Sequence, residues 1–135
     1  MKRNYLFHAL LLTVVGIVFW MIADTISQPG VGDLSSRFEE LDSYRNENNT
    51  GPVHRVYLVF TPDINWEEME AYGNFMPHTK YGVTRVFFVN ERLSPPFDLD
   101  IREPYLAASA QRACIGRYEK SPMGEVSFRK YPFDK

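Results

Sequence analysis

The 135-residue chain has a single cysteine, Cys114, and only three histidines, His8, His54 and His78, far apart in sequence. One thiol excludes an intramolecular disulfide, so any part of the chain outside a membrane holds together by packing or by a partner. Dithiol exchange is excluded as well. The segment where such a motif would follow the first expected strand reads Asp63-Ile64-Asn65-Trp66. There is no Gly-x-Ser-x-Gly elbow and no phosphate loop, and Gly30-Val31-Gly32 lacks the strand and third glycine of a dinucleotide fingerprint. No histidine has a second ligand-type residue at metal spacing, so neither a metal nor a cofactor is expected. A basic excess is missing too. Net charge is −2, and setting Lys2 and Arg3 aside leaves 13 basic against 17 acidic residues, or −4. That balance argues against a nucleic-acid partner and gives no electrostatic reason to lie flat on anionic lipid.

What the chain does have is a greasy run. Residues 5–23, YLFHALLLTVVGIVFWMIA, contain no Asp, Glu, Lys or Arg. At about 1.5 Å per helical residue they reach roughly 28 Å, close to the ~30 Å hydrocarbon thickness of a bilayer. Lys2 and Arg3 precede the run, Asp24 follows it, and no basic residue recurs until Arg37. This asymmetry predicts a cytoplasmic tail (1–4), an uncleaved transmembrane signal anchor (5–23), and everything later on the far side. Tyr5 and Trp20 fit an aromatic belt. A cleaved secretory signal is the main competitor, but its apolar core should be only about 7–15 residues and end at a small-x-small site. Met21-Ile22-Ala23 puts a bulky Met there, Thr25-Ile26-Ser27 is a poor second, and no cysteine follows directly for lipoprotein attachment. A buried helix of a soluble protein is the third reading. His8, near the cytoplasmic end of the run, can reach the headgroups.

Beyond the anchor, residues 24–32 (Pro29, Gly30 and Gly32 among them) read as a linker. Residues 33–46 carry Leu34, Phe38 and Leu41 at spacings of four and three, predicting a short amphipathic helix capped by Asp33 or Ser35. Such a stripe needs cover, from its own domain or from another subunit. A polar tract through Pro52 follows, holding the sequon Asn48-Asn49-Thr50. The folded domain is expected over 53–135. Val53 to Phe60 and Val83 to Asn90 read as strands, the second central and covered on both faces. A helix capped by Asp63 or Asn65 lies between them, with Gly73, Pro77 and Gly82 marking its return loop. Pro104 should open a helix to about Tyr118 whose small face, Ala107, Ala110, Ala113 and Cys114, approaches a sheet. Glu125 to Phe133 alternates as a half-exposed edge strand. The expected class is α+β or α/β: a β-α-β-α-β domain with a sheet of three to four strands.

Chemistry is thin. Asp63, Glu67, Glu68 and Glu70 fit a solvated first helical turn better than a carboxylate pair. Cys114 fits a small buried apolar residue better than a reactive thiol. The aromatics between the strands, Trp66, Tyr72, Phe75, Tyr81 and Phe97, serve either as packing under loops or as interface anchors. The leading expectation is a non-enzymatic, single-pass accessory or assembly subunit of an envelope membrane complex. Its most direct setting is a bacterial inner membrane with the domain in the periplasm. It would bind other proteins through Leu34, Phe38, Leu41, Trp66, Tyr72 and Phe97, and the anchor would raise its concentration near neighbours. The alternatives are a tethered enzyme or small-ligand binder with a cleft near His78, Asp63 and Cys114, and a periplasmic immunity or inhibitor protein.

Overall fold

The computed structural model of the chain describes residues 2–28, 30–46 and 51–134. It divides into two units, Met1–Asp33 and Leu34–Lys135.

The first unit is mostly helix α1, Lys2–Ser27. It is apolar on every side rather than along one stripe, the pattern of a segment with no aqueous face. Within Arg3–Ser27 an 18-residue stretch has a mean hydropathy of 2.4, and none of that stretch is buried in the chain's own fold. Thr13 Oγ1 donates to the Ala9 carbonyl at 2.9 Å and Thr25 Oγ1 to that of Met21 at 2.8 Å, so both hydroxyls are satisfied within the helix. The helix runs four residues past the expected anchor, so part of the expected linker is helical. A short 3-10 turn, Val31–Asp33, closes the unit, with the Asp33 carboxylate accepting the Gly30 N–H at 2.7 Å.

The second unit is one mixed sheet of five strands in sequential order: β1 (Glu39–Arg45), β2 (His54–Phe60), β3 (Val83–Val89), β4 (Cys114–Lys120) and β5 (Val126–Lys130). Only β2 and β3 are parallel, as a crossover requires, and the connection is helix α2, Trp66–Asn74. The other pairs are antiparallel. The mixed α+β class therefore holds, but the strand number and order differ from expectation in two places.

Residues 33–46 are not a helix. They leave the 3-10 turn extended and become β1. A spacing of four fits a helix turn and also one face of a strand, and Leu34 and Phe38 share the face that meets α2. A spacing of three changes face, and Leu41 packs on the opposite side, at a bulge between Glu40 and Asp42. The cover for this stripe is therefore the domain's own sheet.

Residues 104–118 are not one helix either. Helix α3 is only Ala108–Ala113, and β4 begins at the next residue. The alanines do approach the sheet, with Ala110 and Ala113 buried against its core. The alternation Gly116–Tyr118 then matches β3 across the ladder, and pairing overrides helix propensity.

Strand β3 is central. Val86, Phe87, Phe88 and Val89 are all fully buried, each stabilising by about 1.5–3 kcal/mol relative to exposure. Phe88 faces α2 in a cluster with Met69, Tyr72 and Tyr118. Phe87 faces the irregular segment 90–107 and α3, packing with Phe97, Tyr105 and Leu106. Gly73 belongs to α2 rather than to its return loop. A Cβ there would sit 2.3 Å from the Tyr118 ring, so the glycine lets the helix rest directly on β4.

Candidate functional site

Each end of the sheet carries its own set of polar side chains. At the end where β2 and β3 finish, the first turn of α2 fastens the incoming chain. Asn65 caps the helix, accepting the Glu68 N–H at 3.2 Å. The Glu68 carboxylate is thereby free to accept from the Ser35 N–H at 2.9 Å, the Ser35 hydroxyl at 2.6 Å and the Ser36 N–H at 2.7 Å. These hydrogen bonds, led by that of Ser35, hold its pKa down at about 2. Asp63 accepts the Arg37 N–H at 3.2 Å. Glu68 and Asp63 thus clamp the segment leading into β1, a role that sequence spacing alone does not reveal, while Glu67 and Glu70 remain exposed.

At the other end, where β2 and β3 begin, the loop before β3 and the turn after β4 enclose an open groove of about 440 Å³. His78, Lys80, Tyr81, Lys120 and Met123 line it. The His78 ring is held at 3.0 Å from the Thr84 hydroxyl, which itself donates to the Pro77 carbonyl at 3.0 Å. Partial burial lowers the His78 pKa, with further lowering from the Lys120 and Arg55 charges, against an opposing hydrogen bond to the Ser121 backbone. These effects bias the imidazole towards its neutral form, and its hydrogen bond to Thr84 fixes it as part of the loop. Arg55 Nη1 donates to the Thr79 hydroxyl at 2.7 Å on the same side.

A smaller cleft of about 240 Å³ lies against the face that carries Phe87, between Glu103, Tyr105, Arg117, Arg129 and Phe133. An ion-pair cluster adjoins it. Arg85 Nε meets Glu119 at 2.9 Å and lies over the Tyr105 ring, and Arg117 reaches the same carboxylate at 3.7 Å.

The residues expected to form a contact surface are mostly inside. Tyr72 and Phe97 are buried, in the clusters on opposite faces of the sheet. Leu34 and Phe38 are half-buried against the first of these faces, where the Phe38 and Tyr72 rings stand 4.8 Å apart, and Leu41 is half-buried on the second. Trp66 bridges α2 to β5, 6.0 Å from Phe128 and 5.8 Å from Tyr131, with Lys130 Nζ 5.0 Å over its ring. Among the domain's described large apolar side chains, exposure is highest at Met123 (83%) and Tyr81 (60%), followed by Ile64 (54%). The sequence marks Tyr81 only as one aromatic among several, and Met123 only as a turn residue.

The three groups expected around a cleft do not converge. His78 precedes β3 and Asp63 follows β2, at opposite ends of two parallel strands about 20 Å long. Cys114 is buried at the start of β4, and burial pushes its thiol up to about 12. Among the described residues, no set of His, Cys, Asp and Glu is placed to hold a metal, and no buried side-chain polar atom lacks a partner. The sequon Asn48-Asn49-Thr50 lies outside the described residues.

No protein-family model, curated protein or solved structure matches the chain.

Proposed function

We propose that this protein is a single-pass, membrane-anchored accessory subunit whose domain of residues 34–135 binds other proteins of an envelope complex. In this reading α1 is retained as the anchor, the N-terminus is cytoplasmic, and the domain is extracytoplasmic, periplasmic in a bacterial host. The observation that carries it is α1 itself: within Arg3–Ser27 an 18-residue stretch reaches a mean hydropathy of 2.4 with none of it buried by the chain's own fold. A surface of that kind needs lipid or another protein as its solvent. The charge step from Lys2 and Arg3 to Asp24 supports the orientation.

The domain supports a binding role rather than a catalytic one. Glu68 and Asp63 act as a clamp, its thiol is buried, and its one groove-lining histidine is tied into a loop. Tethering then supplies the mechanism, because confinement beside the bilayer raises the local concentration at neighbouring membrane proteins.

The test is purification of the full chain from its native membrane in mild detergent after mild crosslinking. A chimera whose residues 1–30 are replaced by an unrelated membrane anchor is purified in parallel. The expected result is the same stoichiometric protein partner with both. A chain that purifies alone, or a partner kept only by the native anchor, would overturn the reading.

A further inference from the structure

We propose that the groove between Lys80, Tyr81, Lys120 and Met123 docks an acidic segment of a partner protein, with an apolar side chain of that segment seated on Met123. The inference rests on the accessory-subunit reading and names the chemistry of its partner. Arg55, Lys80 and Lys120 place three cations on this side of the domain. Among the described residues none of them forms an ion pair, a state they share with Arg37, Arg45, Arg112, Arg129 and Lys130, but within the domain only here do such cations line a groove with exposed apolar side chains. Arg55 is turned onto the Thr79 hydroxyl, and Lys80 Nζ lies 5.1 Å over the Tyr81 ring. A positive groove on an acidic domain is a local field available to an anionic partner.

The groove also offers apolar contact. Met123 is 83% exposed and Tyr81 60%, and Tyr81 sits at φ 68°, a left-handed conformation uncommon for a tyrosine, which holds it in the loop beside Lys80. Tyrosine, methionine and arginine are the residues that interface centres gather. An acidic protein segment supplies both the charge and the apolar side chain. A lipid headgroup answers only the charge. The volume of about 440 Å³ suits a few side chains of an extended segment rather than a docked helix.

The experiment places a benzophenone-bearing amino acid at Met123 in the full chain, in its native membrane, and identifies the crosslinked peptide by mass spectrometry. A second probe at exposed Ser109 reports capture elsewhere on the domain. The expected adduct at Met123 is a protein peptide rich in Asp and Glu. The Lys80→Glu/Lys120→Glu chain should lose it by about tenfold or more, with the proteolytic stability of the domain unchanged, and raised salt should weaken it. An adduct to phospholipid would overturn the proposal, as would one to a basic peptide or one that survives the charge reversal. So would silence at Met123 with a specific adduct at Ser109, an outcome that leaves the accessory reading standing. Silence at both positions, together with a chain that purifies alone, overturns both.

Discussion

Helix α1 and strand β3 are both predominantly apolar, yet they meet opposite fates. The side chains of β3 are covered on one face by α2 and on the other by residues 90–107 and α3, and four consecutive residues reach zero exposure. Those of α1 are exposed along its described length; Leu6 and Leu12 are each 78% exposed. Apolar content alone therefore does not distinguish a core element from an anchor. Length does: seven residues of β3 span about 20 Å of sheet, whereas the 26 residues of α1 span roughly 39 Å. Substitutions in β3 should thus be felt as folding stability, and those in α1 as membrane partition.

The largest separation of the two should come from α1. Val14→Arg with Val15→Arg places two charges at the middle of α1 and should cost about 5–7 kcal/mol of insertion, at about 2.5–3.5 kcal/mol each. The chain should move from the alkali-resistant membrane pellet to the supernatant, while the thermal midpoint of the domain stays put. A shifted midpoint would mean that α1 belongs to the fold. Next is Phe88→Ala, which should lower the unfolding free energy of the domain by about 3–5 kcal/mol, read by urea denaturation, without changing membrane retention. Gly73→Ala comes third. A Cβ 2.3 Å from the Tyr118 ring forces α2 off β4, for a loss of about 1–3 kcal/mol, although alanine favours helices. A gain in stability would contradict the close contact.

The smallest effect concerns the clamp where the second unit starts. The Glu68 pKa is lowered from 4.5 to about 2 by its bonds to Ser35 and Ser36. A depressed carboxylate contributes stability that is fully present above the unfolded value of 4.5 and is lost as pH falls through about 2. The amide resonances of Ser35 and Ser36 should therefore titrate with a midpoint near 2, and Glu68→Gln should abolish that titration. A midpoint near 4.5 would show the clamp to be open.

The same contrast explains what could be read from the sequence. The long run of α1, the strands β2 and β3, the cap at Asn65 and the edge strand β5 each carry a local signal: length, β-branched runs, or a capping residue before an acidic turn. Strand β1 does not, because Leu34, Phe38 and Leu41 satisfy a helical spacing as well as an extended one, and only pairing with β2 decides. Strand β4 was hidden behind an alanine run that gives a real but short helix. The groove was less legible still. Lys80, Tyr81, Lys120 and Met123 lie about 40 residues apart at the extremes and meet only through the antiparallel pairing of β3 with β4. The buried aromatics Tyr72 and Phe97 were the converse case. Position between strands made them look like loop residues, although both faces of the sheet need cover.

Intact mass of the chain recovered from alkali-washed native membranes tests the anchor most directly. The account predicts a species that still carries residues 5–23 and stays with the lipid, near the full 15.7 kDa. A shorter species beginning near residue 24 or 28 and found in the soluble fraction would contradict it.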